Sequence, residues 1–179
     1  MILTDREILL AIGNGQIVVD PVPEEDAISA TSLDLTLADS GETWQALPGQ
    51  PIRPGAAGYN YRQLGQRRTR VALSGYAMDP GSFLLAWTHE TISLPLQSRL
   101  AARVEGKSSL ARLGLGVHVT APTIHAGFAG QIQLEMFNFG PNQIILDAGM
   151  RICQLIYEMT LGTPSKGYTG TFAGQTANP

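Results

Sequence analysis

Residues 131–138, Gln-Ile-Gln-Leu-Glu-Met-Phe-Asn, alternate so that Ile132, Leu134 and Met136 share one face of a strand. Gln131, Gln133, Glu135 and Phe137 share the other. Glu135 is the one ionisable group on that polar face. A lone glutamate there is usually solvated, and it becomes a candidate general base only where its face lines a cleft sheltered from bulk water. A second stretch, Gly106-Lys107-Ser108-Ser109-Leu110-Ala111-Arg112-Leu113-Gly114, sets a cation and two hydroxyls before a single helical turn that Gly114 can close. Unpaired N–H groups at a helix start favour anions, and Lys107, Ser108 and Ser109 add charge and donors suited to a phosphate. Ser108 and Arg112 are four apart and project from one face of the turn. An ordinary N-cap with a surface arginine explains the same letters equally well. In a third stretch, residues 116–121 run into Ile124-His125-Ala126-Gly127-Phe128-Ala129-Gly130. Backbone groups of a Gly-punctuated turn beside an aromatic could meet a flat ring, but on pattern alone this is a strand connection with a packed Phe128.

Metal chemistry is poorly supplied. Zinc-dependent nucleobase chemistry needs a His or Cys, two further cysteines and a separate glutamate, and Cys153 is the only cysteine. His89-Glu90, His118 and His125 form no recognisable ligand spacing, so no zinc or other tightly held metal is expected. No Gly-x-Ser-x-Gly elbow occurs, which argues against a serine hydrolase.

Bulk properties narrow the class further. The chain has 179 residues, is 44% hydrophobic and 15% charged, and carries 20 Gly and 11 Pro. That suits one domain, 1–179, of short elements joined by many turns. A net charge of −3 supplies no general field for a nucleic acid. The densest basic cluster, Arg67-Arg68-Thr69-Arg70, is read as a solvated loop. A single cysteine fits a reducing cytoplasm. No signal-like N-terminus and no membrane-length apolar run is seen.

The elements that must position these residues are mostly strands. Thr4-Asp5-Arg6-Glu7 fits a capping box, and Ile8, Leu9 and Ile12 then give a helical stripe, so a helix is expected over 5–12. Residues 17–19 and 31–37 read as strands, and 39–74 as a turn-rich excursion with one or two edge strands. Further strands are expected at 83–88, 90–94, 100–104, 116–121, 130–138, 143–146 and 151–160. The fold class is therefore mainly β, a distorted barrel or jelly-roll-like sheet, with one further short helix near Ser108 to Leu113. Residues 162–179 are Gly/Thr-rich and read as a flexible C-terminal lid.

Taken together, the motifs resemble the dCTP deaminase family, which shares a fold group with the trimeric dUTPases. The resemblance rests on Met1-Ile2-Leu3-Thr4-Asp5-Arg6-Glu7-Ile8, Ala30-Thr31-Ser32-Leu33-Asp34-Leu35, Pro80-Gly81-Ser82-Phe83-Leu84-Leu85-Ala86 and above all the run from Gly106 to Tyr157. That run includes Val117-His118-Val119-Thr120-Ala121, Leu134-Glu135 with Asn138, and Gly149-Met150-Arg151-Ile152 with Gln154-Leu155. Nearly everything but the middle excursion is covered. The resemblance implies a dUTPase-type fold and zinc-free hydrolysis of dCTP to dUTP and ammonia. Glu135 would be the general base toward the water that attacks C4, with Ser108 and Arg112 holding water and base. Backbone groups at Thr120 and Ala121 would read the pyrimidine edge. The triphosphate, with its Mg2+, would meet Lys107, Ser109 and a tail containing Tyr168 and Gln175. Phe128, His125 and Gln154 complete the implied substrate site. A homotrimer is implied, with sites between subunits and a tail that closes over the phosphates.

Three positions depart from that pattern. Lys107 stands where the family usually has Arg, keeping charge but losing the bidentate fork. His125 stands where the family and its dUTPase relatives have Asp, which implies weak or absent diphosphatase activity. Thr171 stands at the offset of a family lysine. Two other readings follow: a changed substrate (a modified dCTP, or dUTP with pyrophosphate release), or a non-catalytic nucleotide-binding member.

Overall fold

The computed structural model describes every residue except Ala121, Pro122, Thr171, Ala173, Asn178 and Pro179. In chain order the elements are helix α1 (Asp5–Gly13) and strands β1 (Val18–Asp20), β2 (Ile28–Ser29), β3 (Ser32–Thr36), β4 (Ser40–Trp44), β5 (Arg68–Ala72), β6 (Tyr76–Met78), β7 (Phe83–Ser93) and β8 (Leu100–Gly106). Helix α2 (Ser108–Ala111) and strands β9 (Leu115–Gly116), β10 (Ala129–Asn138), β11 (Ile144–Leu146) and β12 (Arg151–Met159) follow. The fold is mainly β. The strands form a six-stranded sheet in the order β5-β4-β7-β10-β9 with β1 also on β7, a four-stranded sheet β2-β3-β12-β8, and the pair β11-β6. They stay as three open sheets, without closure into a barrel.

The alternation that marks β3, β10 and β12 in the sequence is the alternation of burial. Leu33 and Leu35, Leu134 and Met136, and Leu155 and Tyr157 all point into one apolar cluster with Leu84, Ala86 and Ile92 of β7. That cluster also takes in Leu3 and Ile8 from the N-terminus, whose backbone is tied to β12 by Leu3 N–H donating to Tyr157 O at 3.0 Å.

Several expectations are corrected. Residues 83–93 are one strand rather than two. The polar Thr88-His89-Glu90 has the letters of a turn, but it is a bulge opposite Ile132, where the register with β10 shifts. The Thr88 hydroxyl fills the ladder by accepting from Ile132 N–H at 3.0 Å, and buried Glu90 accepts from Thr36 N–H and Oγ1, pinning one sheet to the other. Residues 117–120 are not strand; only Leu115–Gly116 pairs with β10. The Thr4 hydroxyl bonds the Glu7 carboxylate and caps no backbone N–H, so the capping box is not reciprocal. Leu9 faces solvent, and Ala11 takes the buried position instead. Within the basic cluster Arg68 is no solvated loop residue. It lies on β5, paired to Glu42 and set over the Trp44 and Tyr61 rings.

Asn138 ends β10 and is fully buried. Its Nδ2 donates to Met78 O and Asn142 O, each at 2.9 Å, and its Oδ1 accepts from Gly140 N–H at 3.0 Å. This holds Gly140 so tightly against Leu113 O that a Cβ on Gly140 would overlap that carbonyl. The α2 turn is thereby fixed to the exit of β10. Asn138→Ala is expected to lose about 3 kcal/mol, because three hydrogen bonds go and buried carbonyls are left unpaired. Urea denaturation read by circular dichroism measures it.

Candidate active site

β10 presents Gln133 and Glu135 on the face away from the core, and they form one wall of a cavity of about 470 Å³. That volume falls in the range of small-molecule sites. Glu135 stands opposite Leu85 of β7, and Leu85 stands opposite Glu42 of β4, so the three lie in one row across the sheet. The backbone N–H of Thr120 donates to Glu135 Oε2 at 3.0 Å, which fixes the carboxylate against the wall.

The second wall is β8, through Arg103, Val104 and Glu105. Arg103 donates to Glu158 at 3.1 Å and to Glu105 at 2.7 Å, so its charge is met by two carboxylates. The connection before β10 is held against β8 by a pair of backbone hydrogen bonds between Ala102 and Ile124, 3.0 and 2.7 Å. This brings His118, Thr120, Thr123, His125 and Phe128 onto the cavity.

The C-terminal segment closes a third side. Tyr168 N–H donates to Ala126 O, and the Tyr168 ring stacks on His125 with centroids 6.0 Å apart and packs against Phe128 at 5.9 Å. Further on, Gln131 N–H donates to Gln175 O at 3.0 Å and the Gln175 side chain returns to Gln131 O at 2.9 Å. Gly130 permits this approach. It has a φ of +148°, and a Cβ there would lie 2.7 Å from Gln175 O.

The fourth side comes from the middle excursion, through Tyr61. Burial pushes its hydroxyl above the ordinary tyrosine range; Arg68 opposes that, while the carboxylates of Glu42 and Glu135 add to it. Tyr61 therefore remains a neutral hydrogen-bond donor at the cavity.

One chain thus gathers Glu135, Thr120, His125, Phe128, Tyr168 and Gln175 of the residues expected from the sequence. It does not bring Ser108, Ser109 and Arg112 to them: these are exposed on or beside α2, past the Asn138 turn. Lys107 is engaged elsewhere, its Nζ 2.5 Å from Asp34, with Arg151 4.0 Å from the same carboxylate. Gln154 accepts from the Ser32 hydroxyl at 3.0 Å in the four-stranded sheet and lies off the cavity. Ala121 and Thr171 lie outside the described residues.

Sequence reasoning missed Tyr61, Arg103, Glu105, Thr123, Gln133 and Phe172, all of which line the cavity. Gln133 was within reach, since it shares a strand face with Glu135. Tyr61 left no signal, because its place depends on Arg68 seven residues away and on the β4–β5 hairpin.

Cys153, the one cysteine, is buried on β12, and burial raises its thiol far above the ordinary range. Among the described residues no three His, Cys, Asp or Glu side chains are grouped as metal ligands, and no helix is long and apolar enough to cross a membrane.

The chain is similar to known proteins over most of its length. A dCTP deaminase from Rhodospirillum rubrum is 39% identical over 177 residues, covering 96% of this chain and 89% of the relative. A dUMP-forming dCTP deaminase from Methanosphaera stadtmanae is 36% identical over 168 residues, covering 92% and 82%. Among solved structures, the 2′-deoxycytidine 5′-triphosphate deaminase from Agrobacterium tumefaciens superposes with a TM-score of 0.68 at 24% identity. That match covers 88% of this chain and 48% of the solved one, so it bears on the fold alone. The dUTPase from Staphylococcus aureus phage phi11 gives a TM-score of 0.51 at 11% identity, covering 86% of this chain and 96% of the other. The dCTP deaminase-like family model matches residues 2–160, and the chain belongs to that family.

Proposed function

We propose that this chain catalyses hydrolytic deamination of dCTP, giving dUTP and ammonia, with Glu135 as general base and without zinc. The observation that carries the reading is the position of Glu135: half-buried, on a cavity wall, with one carboxylate oxygen fixed by Thr120 N–H. A base held this way can take a proton from a water set against C4 of cytosine. The oxygen adds to C4 while the C4=N3 electron pair moves to N3, which takes up one water proton. The other passes through the carboxylate to the leaving amine, and the exocyclic C4–N bond breaks as the C4 carbonyl forms. The balance is one water consumed, one ammonia released and a carbonyl left on the ring.

The rest of the assignment follows the donors available. Thr120, with Ala121, is assigned to the pyrimidine edge. His125, Phe128 and Tyr168 form an aromatic wall suited to a flat base or a sugar. Substrate enters as its magnesium complex, and the triphosphate is assigned to Lys107, Ser109 and the tail at Gln175. Lys107 then shares or exchanges its pairing with Asp34. Ser108 and Arg112 reach Glu135 from a neighbouring subunit of a homotrimer, which is why one chain leaves them exposed. The tail acts as the lid, and the setting is cytoplasmic, where one buried thiol stays reduced. A zinc mechanism is disfavoured by the donor set, since the single cysteine points into the core.

Relatives of both product types exist, one named as dUMP-forming and one not, so the fate of the triphosphate is a separate question. An imidazole, stacked on Tyr168, stands at position 125. It supplies no fixed anion to orient a second water toward phosphorus. Incubation with dCTP and magnesium, followed by mass detection of products, is expected to give dUTP, with pyrophosphate release at least about tenfold slower than ammonia release. His125→Asp is expected to raise pyrophosphate release. The same assay run with dUTP and modified cytosine nucleotides separates a changed substrate from deamination of dCTP itself, and binding without turnover across the panel would mark a non-catalytic protein.

A further inference from the structure

We propose that Tyr61, contributed by the middle excursion, is a positioning residue of the active site: its ring holds Phe172, and with it the C-terminal segment, across the cavity. Tyr61 and Phe172 meet edge to face, with centroids 5.8 Å apart and planes at 82°, the arrangement in which aromatic edge and face charges attract. Both line the cavity that contains Glu135. Tyr61 is itself fixed from behind. The Arg68 guanidinium lies over its ring at 5.7 Å and over the Trp44 ring at 5.8 Å, and is paired at 2.5 Å to Glu42. Glu42 sits in the cross-strand row of Leu85 and Glu135. The anchoring stack therefore stands on the same sheet as the proposed base.

The C-terminal segment has two attachments of a different kind nearby. Tyr168 and Gln175 are tied by backbone hydrogen bonds to residues 126–131. Phe172 lies between them and turns away to the excursion. Without the Tyr61 contact, Tyr168 and Gln175 would stay tied while Phe172 lost its hold at the cavity. Nearly half of Phe172 stays exposed, so the contact adds little to the core; its effect falls on how the segment is held.

This inference rests on the deaminase reading for its kinetic consequence, and its test separates the two. Full-length protein is treated with trypsin without nucleotide, and release of peptide 167–179, cut after Lys166, is followed by mass spectrometry. Tyr61→Ala is expected to release the peptide about fivefold faster, and Tyr61→Phe, which keeps the ring, to match the parent. Phe172→Leu acts on the exposed partner and cannot upset the excursion; it is expected to reproduce the Tyr61→Ala rate. The double variant Tyr61→Ala/Phe172→Leu should be no faster than either single one. In the ammonia assay, KM for dCTP should rise about fivefold in the Ala and Leu variants, with kcat within about twofold. Unchanged peptide release in Phe172→Leu, or effects that multiply in the double variant, overturns the inference. If the parent releases no ammonia, the deaminase reading fails while peptide release still decides whether Tyr61 holds the segment.

Discussion

Glu135→Gln is expected to lower kcat for ammonia release from dCTP by about a thousandfold, the range over which a positioned general base contributes. The substitution is nearly isosteric, and the amide oxygen can still accept from Thr120 N–H, so the wall of the cavity stays in place. KM should move by less than about threefold and the thermal midpoint by less than about 3 °C. The control is Glu105→Gln. Glu105 lines the same cavity, but its carboxylate is committed to Arg103 at 2.7 Å. Loss of that partly exposed pair is expected to cost less than about tenfold in rate. If the two variants lose activity equally, the assignment of the base to position 135 fails. If Glu135→Gln keeps its turnover, the mechanism fails with it.

The sequence carried the strand on which this base stands, and for a physical reason. A strand that buries one face and lines a cavity with the other must alternate, and Ile132, Leu134 and Met136 against Gln133 and Glu135 do so without a break. The same period-two reading failed over residues 83–94. There the bulge at Thr88–Glu90 replaces ladder hydrogen bonds with side-chain ones, and its polar letters imitate a turn. It failed again over 117–120, where the backbone leaves the sheet and Thr120 N–H is spent on a carboxylate rather than on a neighbouring strand. Tyr61 and Arg68 were illegible because cation–π and edge contacts between distant residues leave no periodicity. The separation of the α2 turn from the cavity was hidden for a different reason. Gly106 to Gly114 and Glu135 belong to one run of motifs, yet Asn138 and Gly140 fix that turn beyond the exit of β10, and none of Ser108, Ser109 and Arg112 lines the cavity.

That separation predicts that two inactive variants will repair each other. Arg112→Ala should lower kcat about a hundredfold by freeing the water and base it helps to hold, and Glu135→Gln should remove the base. Mixed and co-assembled in equal amounts, the two are expected to recover roughly a quarter of wild-type activity in a cyclic homotrimer. Each site then draws Glu135 from one chain and Arg112 from the next. Half of the first are intact and half of the second are intact, independently of each other. A site built within one chain would recover nothing, since every chain in the mixture carries one of the two lesions. Differently tagged variants, purified through both tags, establish that mixed assemblies are present; in that fraction every trimer has one intact site in three, so about a third of wild-type activity is expected there. Mixed assemblies with no activity would overturn a site shared between chains, and near-parental activity of Arg112→Ala alone would place Arg112 outside the site, since within a single chain the α2 turn faces solvent rather than the cavity that holds Glu135.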